Sequence, residues 1–132
     1  MGYLSCGKST IFGRLLVEMN ALGPNFWEKT RQQAIDDGRE EYKYAYIFWR
    51  NKYERNRRIT SNFSVKCLVT ELSSFTIIDL PGHPQFIKNT IRGLSQADSV
   101  IVVVSADKEF ERNFSLDGIK QFVVLAWTRG AR

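Results

Sequence analysis

The apolar positions change period several times along the chain. Ile11, Phe12, Leu15, Leu16, Met19 and Leu22 recur at steps of three and four, which is one face of a helix. Gly23-Pro24 ends it, because glycine tolerates a left-handed cap and proline cannot continue a helix. A second helix is expected over 28–37, closed by Gly38. Tyr42, Tyr46, Trp49 and Tyr53 again follow helical spacing, and 42–53 holds neither Gly nor Pro. A helix is expected there, although 42–48 also alternates as a strand would. From Phe63 the period falls to two. Phe63, Val65, Cys67 and Val69 alternate with Ser64, Lys66 and Leu68, the pattern of a half-exposed edge strand. A polar turn over 71–74 leads into Phe75-Thr76-Ile77-Ile78, so the two strands are expected to pair as an antiparallel hairpin. Pro84 suits the first turn of a helix whose Ile87, Ile91 and Leu94 form a buried stripe. Val100-Ile101-Val102-Val103-Val104 is a continuous β-branched run, expected to be a strand buried on both faces of a parallel sheet. A charged loop over 107–117 precedes a last helix marked by Ile119, Phe122, Val123 and Ala126, which reaches about Thr128.

Strands and helices in this order read as one α/β domain over residues 1–132, long enough for a real core. Apolar content of 43% and charged content of 25% argue against wholesale disorder. No run of 18 apolar residues is present, and Leu15-Leu16-Val17, flanked by Arg14 and Glu18, is too short for a signal peptide. Two cysteines, Cys6 and Cys67, make no disulfide framework, so a reduced, cytoplasmic setting is expected. The net charge of +5 is unevenly placed. Residues 1–66 hold 12 Lys/Arg against 7 Asp/Glu, while residues 67–132 hold 7 of each. That suits a phosphate-rich partner for the first half, a nucleotide or RNA, and equally a solvated basic surface. Arg50, Lys52, Arg55, Arg57 and Arg58 interleave with the aromatic residues. Such a stretch can stack and clamp single-stranded RNA. Helical spacing accounts for the rings without a ligand, so inward packing is preferred.

The first ten residues carry the chemistry. Gly2-Tyr3-Leu4-Ser5-Cys6-Gly7-Lys8-Ser9 fits G-x-x-x-x-G-K-[ST], a phosphate-binding loop. Glycines let the backbone wrap an anion, with successive N–H groups turned to phosphate oxygens. Lys8 would neutralise the β- and γ-phosphates, and the Ser9 hydroxyl would hold Mg²⁺. A helix starting at Lys8 would aim its positive end at the same phosphates. Asp79 closes the second hairpin strand just before the Pro81-Gly82 turn and His83, where α/β sheets place ligands. It stands where a Walker B aspartate for the same ion is expected. Thr60 lies in a flexible stretch between them.

Further stretches make the pattern specific. Gly7-Lys8-Ser9-Thr10, Tyr42-Lys43-Tyr44-Ala45, Glu54-Arg55, Ile59-Thr60, Asp79-Leu80-Pro81-Gly82-His83, Phe86-Ile87-Lys88-Asn89 and Ser95-Gln96-Ala97-Asp98 stand in register with one family. The chain resembles the GTP-binding domain of the elongation factor 1-alpha family of translational GTPases, from Gly2 to about Gly130. The resemblance implies a P-loop NTPase (GTPase) domain of three layers. Its mixed sheet would be incomplete, lacking the first and the last strands. It implies GTP or GDP as ligand and Mg²⁺ as cofactor. Aminoacyl-tRNA, the ribosome and a nucleotide exchange factor would be partners, with no membrane and no DNA. By that resemblance Gly2, Tyr3, Leu4, Ser5, Cys6, Gly7, Lys8, Ser9 and Thr10 cradle the phosphates, joined by Asp79, Leu80, Pro81 and Gly82. Ser9 and Thr60 bind Mg²⁺ directly, with Asp79 near it. The Gly82 N–H senses the γ-phosphate, and His83 orients the attacking water.

This sequence departs from the family at several points. Only Met1 precedes the loop, where the family has a strand lying between those expected at 75–80 and 100–105. Those two would stand about two strand spacings apart, roughly 10 Å, unless they slide together or something fills the gap. No Asn-Lys-x-Asp motif follows to read guanine, which puts discrimination of GTP from ATP in question. Ser5 takes the place of a loop aspartate, Arg58 that of a glycine, and Pro84-Gln85 that of Arg-Asp. Two functions stay open. One is a translational GTPase segment delivering aminoacyl-tRNA with Mg²⁺-dependent GTP hydrolysis. The other is a non-catalytic remnant that binds protein or RNA. Another P-loop enzyme, such as an ATPase or kinase, fits the stretches around Asp79 and Phe86 less well.

Overall fold

A computed structural model of the chain describes residues 1–106, 116–128 and 130. The expected loop over 107–117 lies largely outside the described residues. Five α-helices are present among those described: α1 Lys8–Glu18, α2 Pro24–Asp36, α3 Lys52–Arg57, α4 Ile87–Leu94 and α5 Leu116–Thr128. Two strands, β1 Ser64–Val69 and β2 Ser74–Asp79, pair antiparallel with Ser64 opposite Asp79 and Val69 opposite Ser74. The expected hairpin is formed, and Thr70 Oγ1 braces its turn against Ser73.

The hairpin separates two cores. On one face Leu68 and Ile77 meet Leu16 of α1 together with Ile47 and Phe48. On the other, Ile78 and Phe63 pack with Met1, Leu80, Leu94 of α4 and Phe122 of α5. Helices therefore pack on both faces of the hairpin, but the sheet, expected to be mixed, has two strands among the described residues and is antiparallel, because a short turn joins them. A smaller cluster of Ala34, Ala45, Tyr46 and Trp49 joins α2 to the aromatic stretch.

Several expectations are corrected. The run 100–104 joins no ladder with β2. Its backbone partner is Met1, whose nitrogen donates to the Ile101 carbonyl and whose carbonyl accepts from Val103 N–H at 2.7 Å. One residue of chain thus lies beside it. Only Val103 is buried, while Ile101 and Val104 are exposed, because a strand is buried on both faces only when neighbours flank it. The single helix expected over 42–53 is instead two 3₁₀ turns, Glu40–Tyr42 and Ala45–Ile47, followed by α3. Asn51 is extended and accepts from Glu54 N–H at 2.9 Å, so it starts a new helix instead of continuing an old one. Tyr46, Phe48 and Trp49 are buried, the inward packing preferred above, and Arg55 and Arg58 lie over Tyr46 and Tyr42. α1 stops at Glu18, leaving Ile11, Leu15 and Met19 of its predicted face exposed. Asn20, left-handed at φ 50°, closes α1, with Ala21 N–H donating to the Leu16 carbonyl at 2.9 Å, and Pro24 opens α2 four residues earlier than expected. Pro84–Phe86 forms a 3₁₀ turn before α4.

Candidate functional site

Residues from four stretches converge at the amino end of α1. The loop before it turns through two left-handed residues, Ser5 at φ 58° and Gly7 at φ 87°. Gly7 supplies that conformation without the steric cost a side chain brings. Alternation of this kind turns successive N–H groups to one side, an anion-binding arrangement. α1 then begins at Lys8 as expected. The Lys8 ammonium is buried and donates to the Tyr3 carbonyl at 2.6 Å, with Cys6 Sγ at 3.7 Å. Burial lowers the Lys8 pKa from its ordinary 10.5, opposed by the charges of Cys6 and Asp79.

Ser9 Oγ donates to Asp79 Oδ2 at 2.6 Å and lies 3.1 Å from Thr60 Oγ1, which is 3.5 Å from the same carboxylate oxygen. All three residues are buried. Burial raises the Asp79 pKa above 3.8, against the pull of the Ser9 hydrogen bond and of Lys8. Asp79 Oδ1 is buried without a hydrogen-bond partner, as is Ser64 Oγ on the residue paired across the hairpin. Gly82 closes over the loop. A Cβ there would lie 2.3 Å from Lys8 Nζ and 2.7–2.8 Å from the Gly2 and Tyr3 carbonyls, so only glycine fits.

Two loops bring Thr60 and Gly82 in, and α4 holds both. Asn89 Nδ2 donates to the Ser61 carbonyl at 2.9 Å, and Thr90 Oγ1 to the Pro81 carbonyl at 3.0 Å. Glu54, 3% exposed, gathers the first loop: its Oε1 accepts from Ser61 N–H, Ser61 Oγ and Asn62 N–H, its Oε2 from Arg50 N–H. The sequence reading placed Glu54 and Asn89 in family motifs without a role in the site, and missed Ser64, Thr90 and Trp49, whose indole N–H donates to Thr60 Oγ1. A hydroxyl or carboxylate on a strand or helix of unknown orientation gives no signal of what it will meet.

The other expected residues are placed as follows. Leu80 turns its side chain into the second core. Pro81 is buried beside Thr90, and Thr10 is half-buried on α1. Ser5 is exposed at the loop's apex. His83 is half-buried, tilted against Phe86 with ring centroids 5.9 Å apart, and its Nδ1 accepts from Gln85 N–H at 3.1 Å. In the neutral ring the hydrogen then sits on Nε2, which is free to donate.

The donor set fits a small hard cation. Ser9 and Thr60 hydroxyls with the free Oδ1 of Asp79 are oxygen ligands, and among the described residues no His/Cys/Asp/Glu cluster competes for a softer metal. Mg²⁺ is held in this manner, by one or two carboxylates together with substrate phosphates.

Comparison with known proteins agrees in kind. Residues 1–121 match the family profile described as elongation factor Tu GTP binding domain. The chain is 42% identical over 132 residues to elongation factor 1-alpha of Metallosphaera sedula, covering 98% of this chain and 30% of that one. It is 42% identical over 132 residues to elongation factor 1-alpha of Sulfurisphaera tokodaii, with the same coverage. It is 37% identical over 134 residues to elongation factor 1-alpha 2 of Euplotes crassus, covering 100% of this chain and 30% of that one. The chain thus spans 30% of the length of the curated relatives it matches.

Proposed function

The chain belongs to the elongation factor Tu GTP-binding domain family, and from that premise we propose that it is the nucleotide-binding segment of a translational GTPase. The observation that carries this reading is the convergence of Lys8, Ser9, Thr60, Asp79 and Gly82 from separate stretches onto one loop. A triphosphate lying along the Gly2–Ser9 loop would draw the Lys8 ammonium from the Tyr3 carbonyl to its own oxygens. Ser9, Thr60 and Asp79 would hold Mg²⁺, which when bound neutralises charge developing on the phosphoryl oxygens. Gly82, against Lys8, would offer its N–H to the γ-phosphate. His83 would donate through Nε2 and so orient the attacking water. In the complete protein the nucleotide state would govern delivery of aminoacyl-tRNA to the ribosome, in the cytoplasm, with an exchange factor reloading GTP. No described helix is long and apolar enough to cross a membrane.

Calorimetry with GTP, GDP and ATP in the presence of Mg²⁺ tests the proposal. Micromolar binding is expected, and Lys8→Ala should abolish it. Absence of binding by the parent chain would leave the remnant reading in its place. His83→Ala should slow hydrolysis while sparing affinity, and unchanged turnover would remove its water-orienting role.

A further inference from the structure

Ser9 has one hydroxyl hydrogen and spends it on Asp79 Oδ2 at 2.6 Å. Thr60 Oγ1 lies 3.1 Å from Ser9 Oγ and 3.5 Å from the same carboxylate oxygen, so its own hydrogen points into that pair. Thr60 Oγ1 in turn receives the indole N–H of Trp49 at 3.3 Å. An indole nitrogen donates and never accepts, so Trp49 feeds Thr60, and Thr60 faces Ser9 and Asp79. The indole is held in that direction. Trp49 is 5% exposed, with Tyr42 and Tyr46 ring centroids 5.9 and 5.7 Å away, and its own carbonyl accepts from Arg55 Nε at 3.1 Å.

We propose that Trp49 is a positioning residue for the magnesium-binding hydroxyls. Its N–H occupies one lone pair of Thr60 and turns the Thr60 hydrogen towards Ser9 and Asp79, leaving the second lone pair to meet a cation. Without that donor the Thr60 hydroxyl is free to rotate its hydrogen into the position the cation takes. The inference rests on Ser9, Thr60 and Asp79 being the Mg²⁺ ligands proposed above.

The test uses the full chain with a non-hydrolysable GTP analogue, measured by calorimetry first in EDTA and then during a Mg²⁺ titration, because the loop carrying Thr60 meets the ion when a γ-phosphate is present. Trp49→Phe keeps a ring and deletes the N–H. Analogue affinity in EDTA is expected to stay unchanged, while Mg²⁺ affinity of the analogue-bound chain falls about five- to tenfold, the loss of one net hydrogen bond. That effect should vanish in a Thr60→Val background, which a merely structural role for the ring would not produce. A second measurement leaves Trp49 intact: the indole N–H resonance should shift on Thr60→Val in the ligand-free chain and again on adding Mg²⁺ with the analogue to the parent. This readout stands even where Trp49→Phe fails to fold. Equal Mg²⁺ affinity of parent and Trp49→Phe, with the analogue bound by both, overturns the inference and leaves the nucleotide reading standing. So does an indole resonance indifferent to Thr60→Val. Failure of the parent to bind the analogue removes both together.

Discussion

Asp79 is a buried carboxylate whose Oδ1 has no partner, and the desolvation it suffers exceeds what Ser9, Lys8 and Thr60 return. Its folded pKa is therefore raised above 3.8. The stability this group contributes is fully present below 3.8 and is lost as pH rises through the raised folded value. In its ionised form the carboxylate is a cost to the ligand-free fold. Asp79→Asn should stabilise the ligand-free protein by about 1 kcal/mol at pH 7, as when other buried charges are replaced by neutral groups. Urea unfolding across a pH series checks this, since the gain should shrink as pH falls towards 3.8. The same variant should lose any Mg²⁺-dependent rise in stability. Lys8 follows the opposite sign. Its lowered folded pKa means that stability is present above 10.5 and lost as pH falls through the folded value. Each of these groups weakens the empty fold, and a bound phosphate together with its magnesium ion would relieve both.

The hairpin shows how an element can be right and its orientation wrong. Alternation marked β1 correctly, and Phe63, Val65, Cys67 and Val69 were its apolar parity. The structure turns the other parity, Ser64, Lys66 and Leu68, towards α1 with Phe75, Ile77 and Asp79 opposite. Leu68 and Ile77 fill the first core, and Lys66 runs its ammonium over the Phe26 ring at 4.2 Å. Ser64 and Asp79 sit at the site end, so polarity on that face serves the site and does not mark solvent. Glu54 is the staple of the neighbouring loop. Glu54→Ala would orphan the Arg50, Ser61 and Asn62 N–H groups, costing about 2–4 kcal/mol. Chemical denaturation measures the loss, and limited proteolysis should cut more readily within 59–62. Glu54→Gln should recover part of it, because the amide oxygen still accepts. A change below about 0.5 kcal/mol would show the loop to be held by Asn89 and by the bonds of Thr60 without Glu54.

Across the whole molecule the helices cover both faces of the hairpin, but the layers are unequally covered. α5 sets Phe122, Leu125 and Ala126 into the second core and leaves Val123, Val124 and Trp127 outward, Trp127 being 81% exposed. Trp49 is buried in its own cluster, so the tryptophans differ sharply in access. Acrylamide should quench Trp127 selectively, and Trp127→Phe should remove most of the quenchable emission. Equal quenching before and after that change would contradict the placement of α5. The 100–104 run makes the same point from the other side: five β-branched residues signal a central strand, yet centrality is a property of neighbours. Among the described residues only Met1 pairs with its backbone, and Val103 is buried while Ile101, Val102 and Val104 are exposed.

The family resemblance supplied the roles expected of Thr60 and Gly82, while residue type and spacing by themselves determined the candidate phosphate loop, the start of α1 at Lys8, the hairpin, and the candidacy of Ser9 and Asp79. Each of these rests on local chemistry: glycine torsions, helix periodicity and oxygen donors at fixed intervals. Only the tertiary structure decided that Ser9, Thr60 and Asp79 meet within hydrogen-bond reach, that Glu54, Asn89 and Thr90 carry the loops there, and that Trp49 heads the hydroxyl chain. Periodicity shows which side chains share a face, while what that face meets depends on contacts between residues far apart in the chain.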